Sequence, residues 1–431
     1  MKMKAIASQV KEASLQLAAA GTDLKNKALA RIAGSLLARQ GEIVQANQED
    51  LKRSAEENLA VPLLKRLKFD ETDIAAVVDG INSLVELEDP VGRTMLATEL
   101  DEGLELYKVT CPIGVIGVIF ESRPDALVQI STLGLKSGNG ILLKGGSEAL
   151  ETNRILAEII MQATTEAGIP SNWLKLLETR AEVGEMLKMD EFIDLIIPRG
   201  SNDFVRYIMD NSRIPVMGHA DGICHCYVDA DAALEMAVQI VVDSKTQYVA
   251  VCNAVETLLV HEKIAARFLP QLKEALDKKQ VSLCGCARTQ ALIPVAAATE
   301  KDWQTEYLDH KLAIRVVPAL DTAIDHINRY GSGHTDSIIT ASKDQAARFM
   351  ALVDSGNVFW NCSTRFSDGF RYGFGAEVGI STGKIHSRGP VGLDGLVIYK
   401  YSLFGAGHLV ADYAAKTKTF KHKPLAKKFP L

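Results

Sequence analysis

TQYVAVCNAVETLLVH, residues 246–261, places a cysteine at the join of two different patterns. Before it, AALEMAVQIVVDSK (232–245) repeats apolar residues every three or four positions, the period of a helix packed on one side. After it, ETLLVH (256–261) is a short apolar run of strand type. Cys252 therefore falls in a short helix-to-strand connection, where a rigid scaffold holds a reactive group in place and leaves it reachable. An arbitrary cysteine is more often a small buried hydrophobe. The surroundings must carry the functional reading.

Alternation of strand and helix extends in both directions. Upstream, strands are predicted at 115–120, 141–143, 174–177, 195–197 and 214–217, with helices at 125–136, 148–167, 181–188 and 202–211 between them. Downstream, helices at 262–277, 320–329 and 343–353 alternate with strands at 313–317, 337–340 and 357–360. Short apolar strands separated by helices predict an α/β fold of two domains with parallel-type sheets, the crevice of such a sheet lying at the carboxyl ends of its strands. Residues 1–92 read as helical and are stopped by Asp89-Pro90-Val91-Gly92. A hairpin at 94–110 centres on Asp101-Glu102-Gly103, and 395–401 adds a strand. The basic residues 416–431 read as a solvated tail. The expected division is a cofactor domain of 1–93 and 113–228, a domain of 229–362 carrying Cys252, and oligomerisation elements with the tail at 94–112 and 376–431.

A chain of 431 residues is too long for one core. A net charge of −6 gives no reason to expect nucleic acid or an anionic membrane as partner. No apolar run is long enough to span a bilayer. Gln9, Lys11 and Glu12 interrupt the apolar region a signal peptide needs, so the start reads as an amphipathic helix. Seven cysteines, an odd number spread thinly, argue for a reducing cytoplasm over a disulfide framework.

Ile141-Leu-Leu-Lys144-Gly145-Gly146-Ser147-Glu148 has the form strand, glycine turn, helix start, which suits an approaching phosphate or ribose. Ile197-Pro-Arg199-Gly200-Ser201-Asn202 repeats that form, with Ser201 as a helix cap or a phosphate contact. No G-x-G-x-x-G fingerprint stands at a strand-to-helix junction. Cys224-x-Cys226 and Cys284-x-Cys286 are spaced too tightly for a structural zinc site, and the histidines do not fall into an HExxH-like spacing. No metal is expected.

The stretch QYVAVCNAVETLL resembles the nucleophile segment of the aldehyde dehydrogenase superfamily. CPIGVIGVIFESRPDA (111–126), ILLKGGSEA (141–149), IIPRGS (196–201) and HADGICH (219–225) extend the resemblance. It continues through VPALDTAIDHINRYGSGHTDSII (317–339) and FWNCSTRFSDGFRYGFGAEVGIST (359–382). The GSGHTDSII and FESRP blocks narrow it to the branch that reduces gamma-glutamyl phosphate, the second step of proline biosynthesis. The resemblance implies Cys252 as nucleophile and Ser122 where hydrolytic relatives carry an oxyanion-hole asparagine. It implies NADP(H) as cofactor, with Lys144 and Glu148 at the adenosine ribose, Ser201 at the pyrophosphate or nicotinamide end and Glu306 at the nicotinamide ribose. Oxidising relatives carry a water-activating glutamate where this chain reads Met217-Gly218-His219-Ala220-Asp221-Gly222, so the acyl-enzyme is expected to resist hydrolysis. Arg123, Arg199, Arg365 and Arg371 are the candidates for the substrate's phosphate and carboxylate. The resemblance further implies a homo-oligomer and a functional link to a separate glutamate 5-kinase. An acylating enzyme using CoA needs the same cysteine, and a non-catalytic protein of this fold is the remaining alternative.

Overall fold

The predicted helical opening is five helices, Lys2–Leu17, Thr22–Ala38, Gln40–Glu56, Val61–Leu67 and Glu71–Glu86, in a computed structural model that describes residues 2–121 and 123–430. Asp70 starts the last of them with a reciprocal capping box through Asp73. The DPVG stop is tied back by a buried ion pair, Lys25 Nζ to Asp89 Oδ2 at 2.6 Å. The chain separates into two compact units. One comprises Met1–Gly200, Tyr207–Val216 and Gly392–Leu431; the other comprises Ser201–Arg206 and Met217–Val391.

In the first unit a four-stranded parallel sheet runs in the order Leu174–Leu177, Gly140–Lys144, Val115–Phe120, Leu195–Arg199. All six residues of Val115–Phe120 are buried, as a central strand covered on both faces requires. Helix Pro124–Lys136 packs so closely on this sheet that a Cβ on Gly134 would lie 2.5 Å from the Ile141 side chain. Lys144 and Arg199 end their strands at the carboxyl edge. The helix expected from residue 148 opens instead with a 3-10 turn, Ser147–Ala149, before Leu150–Ala167. The strand expected at 214–217 is a single bridge, Ile196 to Val216.

The predicted hairpin is Thr94–Asp101 and Leu104–Pro112, and Val397–Phe404 pairs antiparallel along its second strand. Residues 416–430 are not a free tail. Lys423–Pro424 pairs with Thr98 and Glu99 as the fourth strand of this sheet, and Leu425 and Phe429 pack on Ala97, Tyr107 and Val109. The basic composition suggests solvation; the apolar side chains of Leu425 and Phe429 decide the outcome.

The second unit is built on a seven-stranded parallel sheet. Its order is Ala296–Ala297, Ser282–Gly285, Lys311–Val317, Val255–His261, Cys224–Val228, Thr335–Ile339, Asn357–Trp360. Phe268, Leu269 and Leu272 of helix Glu262–Asp277 fill a core that includes Leu258 and Val260. Ile324, Ile327 and Phe349 pack in a second core with Tyr227 and Leu259. Cys224–Val228 belongs to this sheet, although 113–228 was expected to form the cofactor domain.

Candidate active site

Cys252 sits six residues after helix Leu234–Thr246 and three before strand Val255–His261, in the connection the sequence predicts. Because the sheet is parallel, every residue that precedes a strand lies at the same edge. Strands Val255–His261, Cys224–Val228 and Thr335–Ile339 are neighbours. Their leading residues, Cys252, the 219–222 segment and His334, therefore converge at the amino edge of the sheet. A sulfur or ring nitrogen of each of Cys252, His219 and His334 lies within 4.8 Å of the others. The crevice rule for parallel sheets names the opposite edge, so this gathering follows from strand order and not from that rule.

The Cys252 loop is held tightly. Gly222 is pressed on its backbone: a Cβ there would stand 2.2 Å from the Cys252 carbonyl oxygen and 2.5 Å from its Cα. The Cys224 thiol donates to the same carbonyl at 3.1 Å. Burial, with help from Asp336 and Cys252, pushes that thiol well above its usual range, so it remains a neutral donor. Asn253 Nδ2 donates to Ser367 O at 2.7 Å, and Thr364 Oγ1 donates to Asn253 O at 2.7 Å. Lys245 and Glu256 flank the loop with an ion pair of 2.6 Å, both side chains fully buried. Cys252 itself is half-buried, which suits a nucleophile that substrate must reach.

The loop that holds Asn253 also carries Arg365, a buried guanidinium whose Nε donates to Gln247 Oε1 at 2.9 Å. Burial and the neighbouring Arg371 lower its pKa, and the charge of Cys252 acts in the opposite sense. Arg371 Nη1 in turn donates to Arg365 O at 2.8 Å. Of the four candidate arginines, Arg365 and Arg371 thus share a unit with Cys252, while Arg123 and Arg199 belong to the other.

Glu306 accepts from Asn202 Nδ2 at 2.6 Å, next to Ser201, and the same amide donates to Asp221 at 3.1 Å. Arg206 pairs with the other oxygen of Asp221. The structure so brings the Ser201 turn, Glu306 and the HADG segment together in the unit of Cys252. Lys144 and Glu148 lie in the other unit. Lys144 is buried, its Nζ donating to Gly145 O. The Glu148 carboxylate folds over Gly146, where an added Cβ would stand 2.0 Å from Oε1. Ser122 lies outside the described residues. A buried cation at a strand end and two carboxylates are donor types that suit a nicotinamide dinucleotide, whose phosphates seek cations and whose ribose diols seek carboxylates.

The histidines are what sequence reasoning missed. The sequence marks His219 as standing where hydrolytic relatives carry a glutamate, and neither it nor His334 falls in a metal-ligand spacing. His219 Nδ1 lies 2.9 Å from the carbonyl of Ile380, and a carbonyl only accepts, so Nδ1 carries the proton and Nε2 is the open nitrogen. The ring stands edge-on to His334, centroids 4.9 Å apart. His334 is buried, with Nδ1 2.8 Å from Thr335 Oγ1, and its Nε2 finds no partner among the described residues.

An aldehyde dehydrogenase family model matches residues 3–313 of this sequence. The chain belongs to the aldehyde dehydrogenase family. It is 74% identical to the gamma-glutamyl phosphate reductase of Acetivibrio thermocellus over the whole of both chains. It is 73% identical to that of Pelotomaculum thermopropionicum, covering 100% of this chain and 99% of the relative. The crystal structure of gamma-glutamyl phosphate reductase from Thermotoga maritima superposes with a TM-score of 0.93 at 42% identity, covering 95% of this chain and 100% of that one. Within the family the chain falls in the gamma-glutamyl phosphate reductase branch. The family works with nicotinamide cofactors, and among the described residues no helix is long and apolar enough to cross a membrane.

Proposed function

We propose that this chain reduces gamma-glutamyl phosphate to glutamate 5-semialdehyde and phosphate with NADPH, the second step of proline biosynthesis, through a thioester on Cys252. The observation that carries the reading is the half-buried thiol on a clamped loop beside a buried arginine. The Cys252 thiolate attacks the acyl carbon, and the C–O bond to phosphate breaks. Arg365 faces the anionic end of the substrate, and Arg371 holds the backbone of Arg365 in place. The Cys252 amide and Ser122 are assigned to the developing oxyanion. NADPH, when bound, supplies the hydride that reduces the thioester. Lys144 and Glu148 are assigned to its adenosine ribose and 2′-phosphate, with Ser201 and Glu306 toward the nicotinamide end. Glu306 is pre-set for a ribose diol by the Asn202 amide.

The setting we propose is cytoplasmic, with a separate glutamate 5-kinase supplying the acyl phosphate. Homo-oligomerisation is assigned to strand Val397–Phe404. It exposes Ile398, Tyr399, Tyr401 and Leu403 and, among the described residues, pairs on one side only. The deciding experiment is the reverse reaction, oxidation of glutamate 5-semialdehyde by NADP, in wild type and Cys252→Ala. The reading requires dependence on inorganic phosphate and loss of turnover in the variant. Dependence on CoA instead would establish the acylating alternative.

A further inference from the structure

We infer that His219 is the acid that protonates the departing phosphate, a role that rests on the acyl-phosphate reading above. A dianionic acyl phosphate that loses its C–O bond without a proton would release trianionic phosphate, a strongly basic leaving group. One proton per turnover must therefore reach the bridging oxygen. Three observations place that proton on His219.

The first is position. A ring nitrogen of His219 and one of His334 lie within 4.8 Å of the Cys252 sulfur and of each other. A group attached to the carbon that this sulfur attacks enters the same space. The second is the fixed tautomer. The Ile380 carbonyl holds Nδ1–H at 2.9 Å, which leaves Nε2 as the nitrogen that gives up or takes the mobile proton. The third is access. His219 is part-exposed whereas His334 is buried, so His219 reloads from solvent while its neighbour fixes the ring edge-on. His334 Nε2 is buried and has no partner among the described residues, on a ring that lies beside the reacting sulfur, and so marks a place for a substrate oxygen. Cys224 and Thr335 face the other nitrogen of His334, and Arg365 acts on Cys252; none of the three carries an open ring nitrogen.

The step balances as follows. The sulfur lone pair forms S–C, the C–O pair moves onto the bridging oxygen, and the Nε2 proton of the His219 imidazolium joins that oxygen. The products are the Cys252 thioester, hydrogen phosphate and neutral His219. In reverse, neutral Nε2 removes a proton from hydrogen phosphate as its oxygen attacks the thioester.

The test compares two acyl transfers at Cys252 in the full-length chain. One is phosphate-dependent oxidation of glutamate 5-semialdehyde, which needs the His219 proton. The other is the burst of p-nitrophenolate from p-nitrophenyl acetate, whose leaving group departs as a stable anion. His219→Asn keeps an N–H for Ile380 and removes the imidazole. The expected result is a fall of about 10²–10³-fold in the phosphate reaction, with the burst rate within a few-fold of wild type. His219→Gln guards against a folding defect in the first variant and is expected to behave alike. Equal losses in both reactions would assign His219 to shaping the Cys252 loop and overturn the proposal, as would wild-type phosphate kinetics in both variants. If wild-type enzyme shows the burst and no phosphate dependence, the acyl-phosphate reading itself fails; if wild type depends on phosphate and both variants keep its full rate, that reading survives while this one falls.

Discussion

Lys245 and Glu256 close the Cys252 loop from its two ends: the last turn of one helix meets the second residue of the next strand at 2.6 Å, with neither side chain exposed. Two charges in a dry interior gain little net stability from each other, but removing one leaves the other stranded. Lys245→Met is therefore expected to cost about 3–5 kcal/mol. The double variant Lys245→Met/Glu256→Leu should recover much of that. Chemical denaturation of the four proteins in a double-mutant cycle measures the coupling. A single variant as stable as wild type would show that the pair does not hold the loop.

The same pair sets a pH dependence. Burial drives the Glu256 pKa from 4.5 up to about 7, against the pull of Lys245, and the same burial lowers Lys245. The folded chain thus holds the Glu256 proton more tightly than the unfolded chain does. Below about pH 4.5 both states are protonated and the residue is neutral in effect. Between there and about pH 7 the unfolded state has lost its proton and the folded state has not, so stability falls as pH rises. The slope is at most about 1.4 kcal/mol per pH unit. Glu256→Gln should flatten it, seen as a smaller difference between unfolding midpoints at pH 5 and pH 7 than in wild type. An unchanged slope would place the titrating group elsewhere.

Gly222 tests the geometry around the nucleophile without touching a charge. An alanine there drives its Cβ into the Cys252 main chain at 2.2–2.5 Å, and main chain has no rotamer to escape through. Gly222→Ala should shift Cys252 and lower kcat by about 10²-fold or more, since a displacement near 1 Å at a reacting group has that effect. Gly41, with open space around it, is the control: Gly41→Ala should leave kcat unchanged. A Gly222→Ala enzyme with normal turnover would show that residue 222 does not press on the Cys252 main chain.

The strands and helices around Cys252 were legible because periodicity reports burial, and both long series were read from it. Strand Cys224–Val228 was harder. It is an inner strand of the sheet, buried on both faces, so it shows no alternation, and it carries a histidine in the core. His225 is tolerated there because Asp336 of the adjacent strand accepts from both its backbone N–H and its Nδ1. That compensation comes from 111 residues away. The same gap hid the histidine pair. His219 and His334 meet Cys252 through the order of three parallel strands, a property of topology that local patterns do not encode. Glu306 was placed by resemblance, and its hydrogen bond to Asn202 likewise joins residues 104 positions apart.

The C-terminal residues offer the last prediction, because composition and structure disagree about them. Lys421 and Lys427 face Asp101 and Glu105 of the hairpin at 3.6 and 2.5 Å, exposed pairs that contribute little. The anchor is apolar and main-chain. Leu425 N donates to Ala97 O at 2.9 Å, Phe429 N donates to Thr94 Oγ1 at 2.7 Å, and the Phe429 ring meets Tyr107 edge-on at 5.8 Å. Truncation after residue 415 should uncover Tyr107 and remove one strand from a four-stranded sheet. Two half-buried large side chains are worth about 2–3 kcal/mol together, so the truncated chain should unfold at lower temperature. Leu425→Ser/Phe429→Ser should reproduce most of the loss while Lys421→Ala/Lys427→Ala should not. If instead the lysine pair gave the larger drop, charge would be holding the segment and the apolar contacts would be incidental.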